Sequence, residues 1–141
     1  MENQLLDCKM DDANTVITPQ LHDSNLTKLE FFQDNIVLSF ILESKKVINI
    51  HLIGIVDIMC NNLRKGNIVL DVTASTGSDT DFYLLDKLFT KPKVNNPKFE
   101  SYLCSLKNKI LQNELYVVQL NPSYGCEIIA LCENIKYSTK R

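Results

Sequence analysis

Residues 26–53 read LTKLEFFQDNIVLSFILESKKVINIHLI, and this stretch decides the fold. Its apolar and polar positions alternate with a period of two, the signature of strands that bury one face. Thr27, Leu29 and Phe31 alternate with Leu26, Lys28 and Glu30. Ile36, Leu38, Phe40 and Leu42 share a face opposite Val37, Ser39 and Ile41, and Ile48, Ile50 and Leu52 alternate with Val47, Asn49 and His51. Between the runs stand Gln33-Asp34-Asn35 and Glu43-Ser44-Lys45-Lys46. Asp and Asn bond their own backbone and tolerate left-handed conformations, so the first of these is turn chemistry, and the second is a polar turn. Three β-prone runs on short polar connections predict an antiparallel meander.

Toward the C-terminus, Gly54 interrupts the third run before it resumes over 55–60, and an isolated Gly in a strand marks a bulge or bend. A loop over 61–66 leads to a fourth strand over 67–73, with Ile68, Leu70 and Val72 facing one way and Asn67, Val69, Asp71 and Thr73 the other. Ser78 or Asp79 is placed to cap a short helix over 81–89, acidic in its first turn and with Lys87 near its end. Pro92 blocks its continuation. Asn96 then caps a longer helix that starts at Pro97, where proline needs no amide partner. Phe99, Tyr102 or Leu103, Leu106 and Ile110 form its apolar stripe, Lys98, Lys107 and Lys109 its exposed arc, and Asn113 its stop. The runs ELYVVQL (114–120) and CEIIALC (126–132) flank Asn121-Pro122-Ser123-Tyr124-Gly125, which reads as a hairpin. Residues 134–137 extend the last strand, and 138–141 form a basic tail.

The expected fold class is therefore α+β in a single domain over 1–141. It comprises an acidic arm (1–20) with one short element near 14–17, an antiparallel β-meander of about four strands (21–73), two helices (79–112), and a C-terminal β-hairpin (114–137) completing the sheet. The chain has 141 residues, 15 Lys plus Arg and 17 Asp plus Glu, for a net charge of −2. That length suits one globular domain, and the balance lacks the basic footprint of direct nucleic-acid binding. The balance conceals an asymmetry: residues 1–43 hold eight acids against two bases, and the remainder nine acids against thirteen bases. An acidic first third suits a basic partner. Asp7, Asp11, Asp12, Asp23 and Asp34 are the candidate partner contacts.

No catalytic, cofactor or metal set is expected. His22-Asp23-Ser24 holds the residue types of a hydrolase triad, but consecutive strand residues point to opposite faces, and the segment reads as a turn or strand start. Neither a G-x-x-x-x-G-K-[ST] nor a G-x-G-x-x-G pattern occurs, so Gly66-Asn67-Ile68 and Ser75-Thr76-Gly77-Ser78 are not phosphate loops. The five cysteines are odd in number and form no CxxC pair, which predicts reduced thiols in the cytoplasm. Cys126 and Cys132 share a strand face too far apart for one ion and read as small core hydrophobes. The stretch 47–60, broken by Asn49, His51, Gly54 and Asp57, falls short of the ~20 apolar residues of a membrane span. The first twelve residues are acidic, without the basic and apolar regions of a secretory signal. His51 reads as a hydrogen-bonded or rim histidine. It is also the residue that would line a pocket between sheet and helices if the chain were instead a ligand carrier or an enzyme.

Leu21-His22-Asp23-Ser24-x-Leu26, the apolar strand Leu52-Ile53-Gly54-Ile55-Val56, Gly66-Asn67-Ile68-Val69-Leu70-Asp71-Val72 and the closing Ser123-Tyr124-Gly125-Cys126 together resemble a group of small bacterial proteins. These are immunity proteins of polymorphic or contact-dependent toxin systems, and the shared motifs are structural rather than catalytic. The resemblance spans residues 21–73 and the hairpin, not the helices. It implies a non-enzymatic cytoplasmic protein, monomeric or homodimeric, without cofactor. Its partner would be a cognate toxin domain, basic and of nuclease type, which it neutralises by steric and electrostatic occlusion, with no membrane contact.

Overall fold

A computed structural model describes residues 4–90 and 94–140. Among them are nine strands: β1 (Leu6–Asp7), β2 (Lys9–Met10), β3 (Val16–Thr18), β4 (Asn25–Phe31), β5 (Asn35–Ile41), β6 (Val47–Asn61), β7 (Ile68–Ser75), β8 (Tyr116–Tyr124) and β9 (Glu127–Lys140). Two helices, α1 (Tyr83–Leu88) and α2 (Pro97–Leu111), lie between β7 and β8. The main sheet runs in the order β1-β9-β6-β5-β4-β7-β8, and β8 also pairs with β9. That last pairing closes six antiparallel strands into a ring, with β1 appended to β9. The β2–β3 ribbon is separate and touches the ring through the Thr15–Thr73 bridge.

This overturns the expected α+β layout of a four-strand meander, two helices and a hairpin, because the protein is mostly β. The cause lies in two long strands. The first, β6, resumes after Gly54 as expected and carries a bulge just beyond it, between Ile55 and Asp57. Gly54 adopts φ +64, where a Cβ would fall 2.6 Å from the Glu133 side chain, and the strand bends and continues to Asn61. β9 then pairs with it from Asn61↔Glu127 down to Val47↔Lys140. Residues 138–140 are thus strand rather than a basic tail, and the β8–β9 hairpin joins the sheet along nearly the whole length of β6. β8 likewise runs through Asn121–Tyr124 on β7, leaving only Gly125 and Cys126 for the turn.

Inside the ring, Ile36, Leu38 and Phe40 of β5 meet Ile50 and Leu52 of β6 and Ile128, Ala130 and Cys132 of β9. Outside, Val117, Ile129 and Leu131 pack under Leu85 of α1 and Leu106 and Ile110 of α2. β9 is therefore buried on both faces over 128–132, which explains its unbroken apolar run. Bulges break two expected alternations. Thr27 is the extra residue opposite β5, so Leu26 and Leu29 both turn inward. Leu70 is extra opposite β8, so Val69 and Val72 are buried while Ile68 and Leu70 are exposed. The acidic arm packs on the ring, since Val16 belongs to its core and Cys8 and Met10 lie against it.

Both helix ends of α2 follow their expected chemistry. Asn96 Oδ1 accepts the Lys98 and Phe99 N–H groups at 3.1 and 3.2 Å. At the other end Asn113 takes φ +62, with Glu114 N–H on Lys109 C=O and Asn113 N–H on Ile110 C=O, a Schellman closure. Leu103, Leu106 and Ile110 are its buried stripe, while Tyr102 is exposed. For α1 neither Ser78 nor Asp79 caps the helix. Residues Gly77–Asp79 form a 3-10 turn, and Asp81 Oδ1 accepts the Tyr83 N–H at 3.0 Å.

Candidate functional site

The ring is not equally tight all round. β4 meets β7 only at its first residues, through Asn25↔Ile68 and backbone bonds such as Leu26 N–H to Asn67 C=O at 2.8 Å. From 27 to 31 it is paired on one side alone, with β5. Similarly, β5 leaves β6 at Asn35↔Ile53, so residues 56–61 of β6 have β9 as their one strand neighbour. The 62–67 loop returns from the end of β6 toward β7. Between this loop, the free edge of β4 and the end of β6 lies a cleft of about 480 Å³.

Two kinds of side chain line the cleft. Leu26, Leu29 and Leu63 are apolar, and Leu63 is 69% exposed. Lys28, Arg64 and Lys65 are cationic, and no carboxylate is among the lining residues. Lys28 Nζ lies 2.9 Å from Glu30 Oε1, whereas Arg64 and Lys65 have no ion-pair partner among the described residues. Cys60 stands at the end of the β6 wall, against the buried Cys126, whose thiol burial pushes up to about 12, with Cys60 adding to the shift.

Asn67 holds this end of the molecule together. Its Oδ1 accepts the Arg64 and Cys126 N–H groups, both at 3.0 Å, and its Nδ2 donates to Arg64 C=O at 2.8 Å. Its own N–H donates to Asn25 Oδ1 at 3.0 Å. A buried amide so fully satisfied fixes the loop, the β8–β9 turn and the start of β4 in one arrangement. Gly125 (φ +94) makes room for it, since a Cβ there would sit 2.5 Å from Asn67 Oδ1. The Gly66-Asn67-Ile68 and Tyr124-Gly125-Cys126 motifs are therefore in direct contact. Sequence spacing shows the turn residues but not that they meet.

The five carboxylates singled out in the sequence occupy separate places. Asp7 on β1 pairs with Lys136 Nζ at 2.7 Å. Asp11 and Asp12 sit in the β2–β3 turn, where Asp11 Oδ1 accepts the Ala13 and Thr15 N–H groups. Asp23 (φ +64) precedes β4 and lies 3.4 Å from His22 Nε2, and Asp34 fills the β4–β5 turn. No hydrogen bond or ion pair links any two of the five among the described residues. None lines the cleft.

The histidines serve hydrogen bonds. His22 Nδ1 is 2.9 Å from Leu70 C=O, while Ser24 is buried and donates to Leu21 C=O at 2.6 Å, so the His22-Asp23-Ser24 run forms a turn with its hydroxyl directed away from the imidazole. His51 faces outward from β6 with Nε2 2.8 Å from Ser138 Oγ, and burial lowers its pKa. That distance matches a base and its nucleophile. Yet Ser138 is only 3% exposed near the end of β9, and no carboxylate among the described residues is hydrogen-bonded to the ring, so the pair acts as a cross-strand contact. His51 does not line the cleft. All five cysteines are unbridged, and no three His, Cys, Asp or Glu side chains converge on a metal position among the described residues. No helix there is long and apolar enough to cross a membrane. Compared with known protein families, characterised proteins and solved structures, the chain matches none.

Proposed function

We propose that this protein acts by binding another protein, as a cytoplasmic immunity protein that occludes a toxin domain, and not by chemistry of its own. The observation that carries the reading is the cleft, where strand edges stand without neighbours beside exposed apolar and cationic side chains. Natural sheets rarely leave such an edge uncovered unless another chain uses it. The resemblance of residues 21–73 to immunity proteins supplies the class of partner. Exposed Asp11, Asp12, Asp23 and Asp34, spread over three turns, supply a diffuse negative field that steers a basic domain toward the surface.

Growth rescue tests the reading. If the gene beside this one encodes a large secreted protein with a variable C-terminal domain, that domain is expressed alone and together with this chain; a neighbour of another kind overturns the toxin reading. Rescue by this chain, and none by an unrelated immunity protein, is the expected result; undiminished killing overturns it. Replacing Asp11, Asp12, Asp23 and Asp34 with Lys should slow association by about tenfold and flatten its salt dependence. An unchanged association rate removes the steering argument.

A further inference from the structure

We propose that the cleft receives one extended segment of the partner, carrying carboxylates among apolar residues, which adds as a strand along residues 27–31 of β4. The inference rests on the protein-binding reading and deepens it. β4 is hydrogen-bonded on one side only over these residues, so alternate N–H and C=O groups on the other side are available for an antiparallel ladder. The edge is five residues long, a common strand length. It ends at Phe31 and Phe32, which are 65% and 56% exposed, large apolar side chains at the position where an added strand would cover them.

Charge selects the occupant. Arg64 and Lys65 stand at the cleft beside Lys28, whose charge Glu30 on the same strand partly offsets, and no acid lines the cleft itself, although the whole chain is net negative. A segment with carboxylates meets these cations at short range, while a lysine-rich segment meets like charge. Single-stranded nucleic acid would answer the same cations, but it binds by stacking bases on aromatic rings beside those cations, and the exposed rings here, Phe31 and Phe32, stand at the end of the strand and not in the cleft lining. The available backbone edge is recognition chemistry for a peptide. Leu26, Leu29 and Leu63 provide the apolar seats for alternate side chains.

The test uses the full chain and three fluorescent nine-residue peptides: one alternating valine with glutamate, a twin with lysine for glutamate, and a twin with two central prolines. Anisotropy should show the glutamate peptide binding at least tenfold more tightly than either twin. Amide exchange should slow at residues 27–31 when it binds. The exposed pair Arg64→Glu and Lys65→Glu should lose at least tenfold in affinity with thermal unfolding unchanged. Equal binding of the three peptides, protection at another strand, or displacement of the peptide by oligothymidine at lower concentration each overturns the inference. So does a dimer in light scattering that holds the β4 edge. Absent peptide binding alongside intact growth rescue overturns the cleft inference alone. Peptide binding without rescue overturns only the toxin reading.

Discussion

The wall formed by β8 and β9 and the side where β4 and β6 stand apart are built from the same secondary structure, yet they are opposite in character. Ile128 to Cys132 are all buried, odd residues under the helices and even residues inside the ring. Around the cleft, both β4 and β6 lose a neighbour partway along, and Leu63 and the cations reach solvent. Stability and binding are thereby assigned to opposite sides of this fold. A strand covered on both faces and both edges has no group left for a partner, so recognition falls to the side where pairing stops.

Truncation should expose that contrast most strongly. Leu131 is fully buried in the helix-facing layer, and Leu131→Ala should cost about 3 kcal/mol in urea unfolding. Leu29→Ala, at the half-buried cleft wall, should cost about 1 kcal/mol. Equal losses would mean that the two sides share one cooperative core. Asn67→Ala should fall between them, at about 2 kcal/mol, because it leaves the Arg64 and Cys126 N–H groups without their acceptor. The same change should speed amide exchange at 64 and 126 before global unfolding. A loss below about 0.5 kcal/mol would show that water replaces the side chain and that the loop is not anchored there.

How legible these two sides are in the sequence follows from the same contrast. β5, with Ile36, Leu38 and Phe40 inward, the Asn96-Pro97 helix start and the Asn113 stop all depend on local chemistry, and local patterns show them. Gly54 marks the bulge within β6 locally, but the partner that carries the strand on to Asn61, β9, lies about eighty residues away. The β8–β9 hairpin is local and its turn residues show it, whereas the pairings of β9 with β6 and of β8 with β7, which make a ring of the sheet, are long-range outcomes. Thr27 and Leu70 are bulge residues with ordinary strand chemistry, so a strict period of two separates Leu29 from Leu26 and groups Val72 with Ile68 and Leu70, where the folded chain does neither. The cleft is made by missing neighbours and has no motif at all. Charge counting along the chain found the scattered carboxylates and missed Lys28, Arg64 and Lys65, which meet only after folding.

Thiol chemistry sharpens the contrast with a smaller effect. Cys60, at the cleft, and Cys104, on α2, are exposed, while Cys8, Cys126 and Cys132 are covered and each is pushed up to about 12, mainly by burial. Two thiols should therefore react quickly with Ellman's reagent in the native protein, and three more after denaturation. Because the folded thiols hold their protons above the ordinary value of 9.0, the unfolded chain releases protons first as pH rises. Their contribution to stability should be complete below pH 9 and fall away between pH 9 and about 12. A fast third thiol would place an opening in the wall that the structure shows closed.

His51 provides the finest probe, since it lies on the outer face of β6 below Gly54, where that strand still has both neighbours. Burial lowers its pKa below 6.5, and Lys136 stands opposite it on β9. Between the folded value and 6.5 the unfolded chain binds more protons, so stability is full above pH 6.5 and declines as pH falls through that window. His51→Gln keeps a hydrogen-bonding group near Ser138 Oγ but cannot titrate. From pH 7.5 to 5 its melting temperature should therefore fall less steeply than that of the parent chain. Peptide affinity at the cleft should respond equally to pH in both proteins, because His51 lines a different surface. Parallel melting profiles would mean that the ring at β6 already admits enough water to solvate the imidazolium, and would erase the distinction between its paired and unpaired halves.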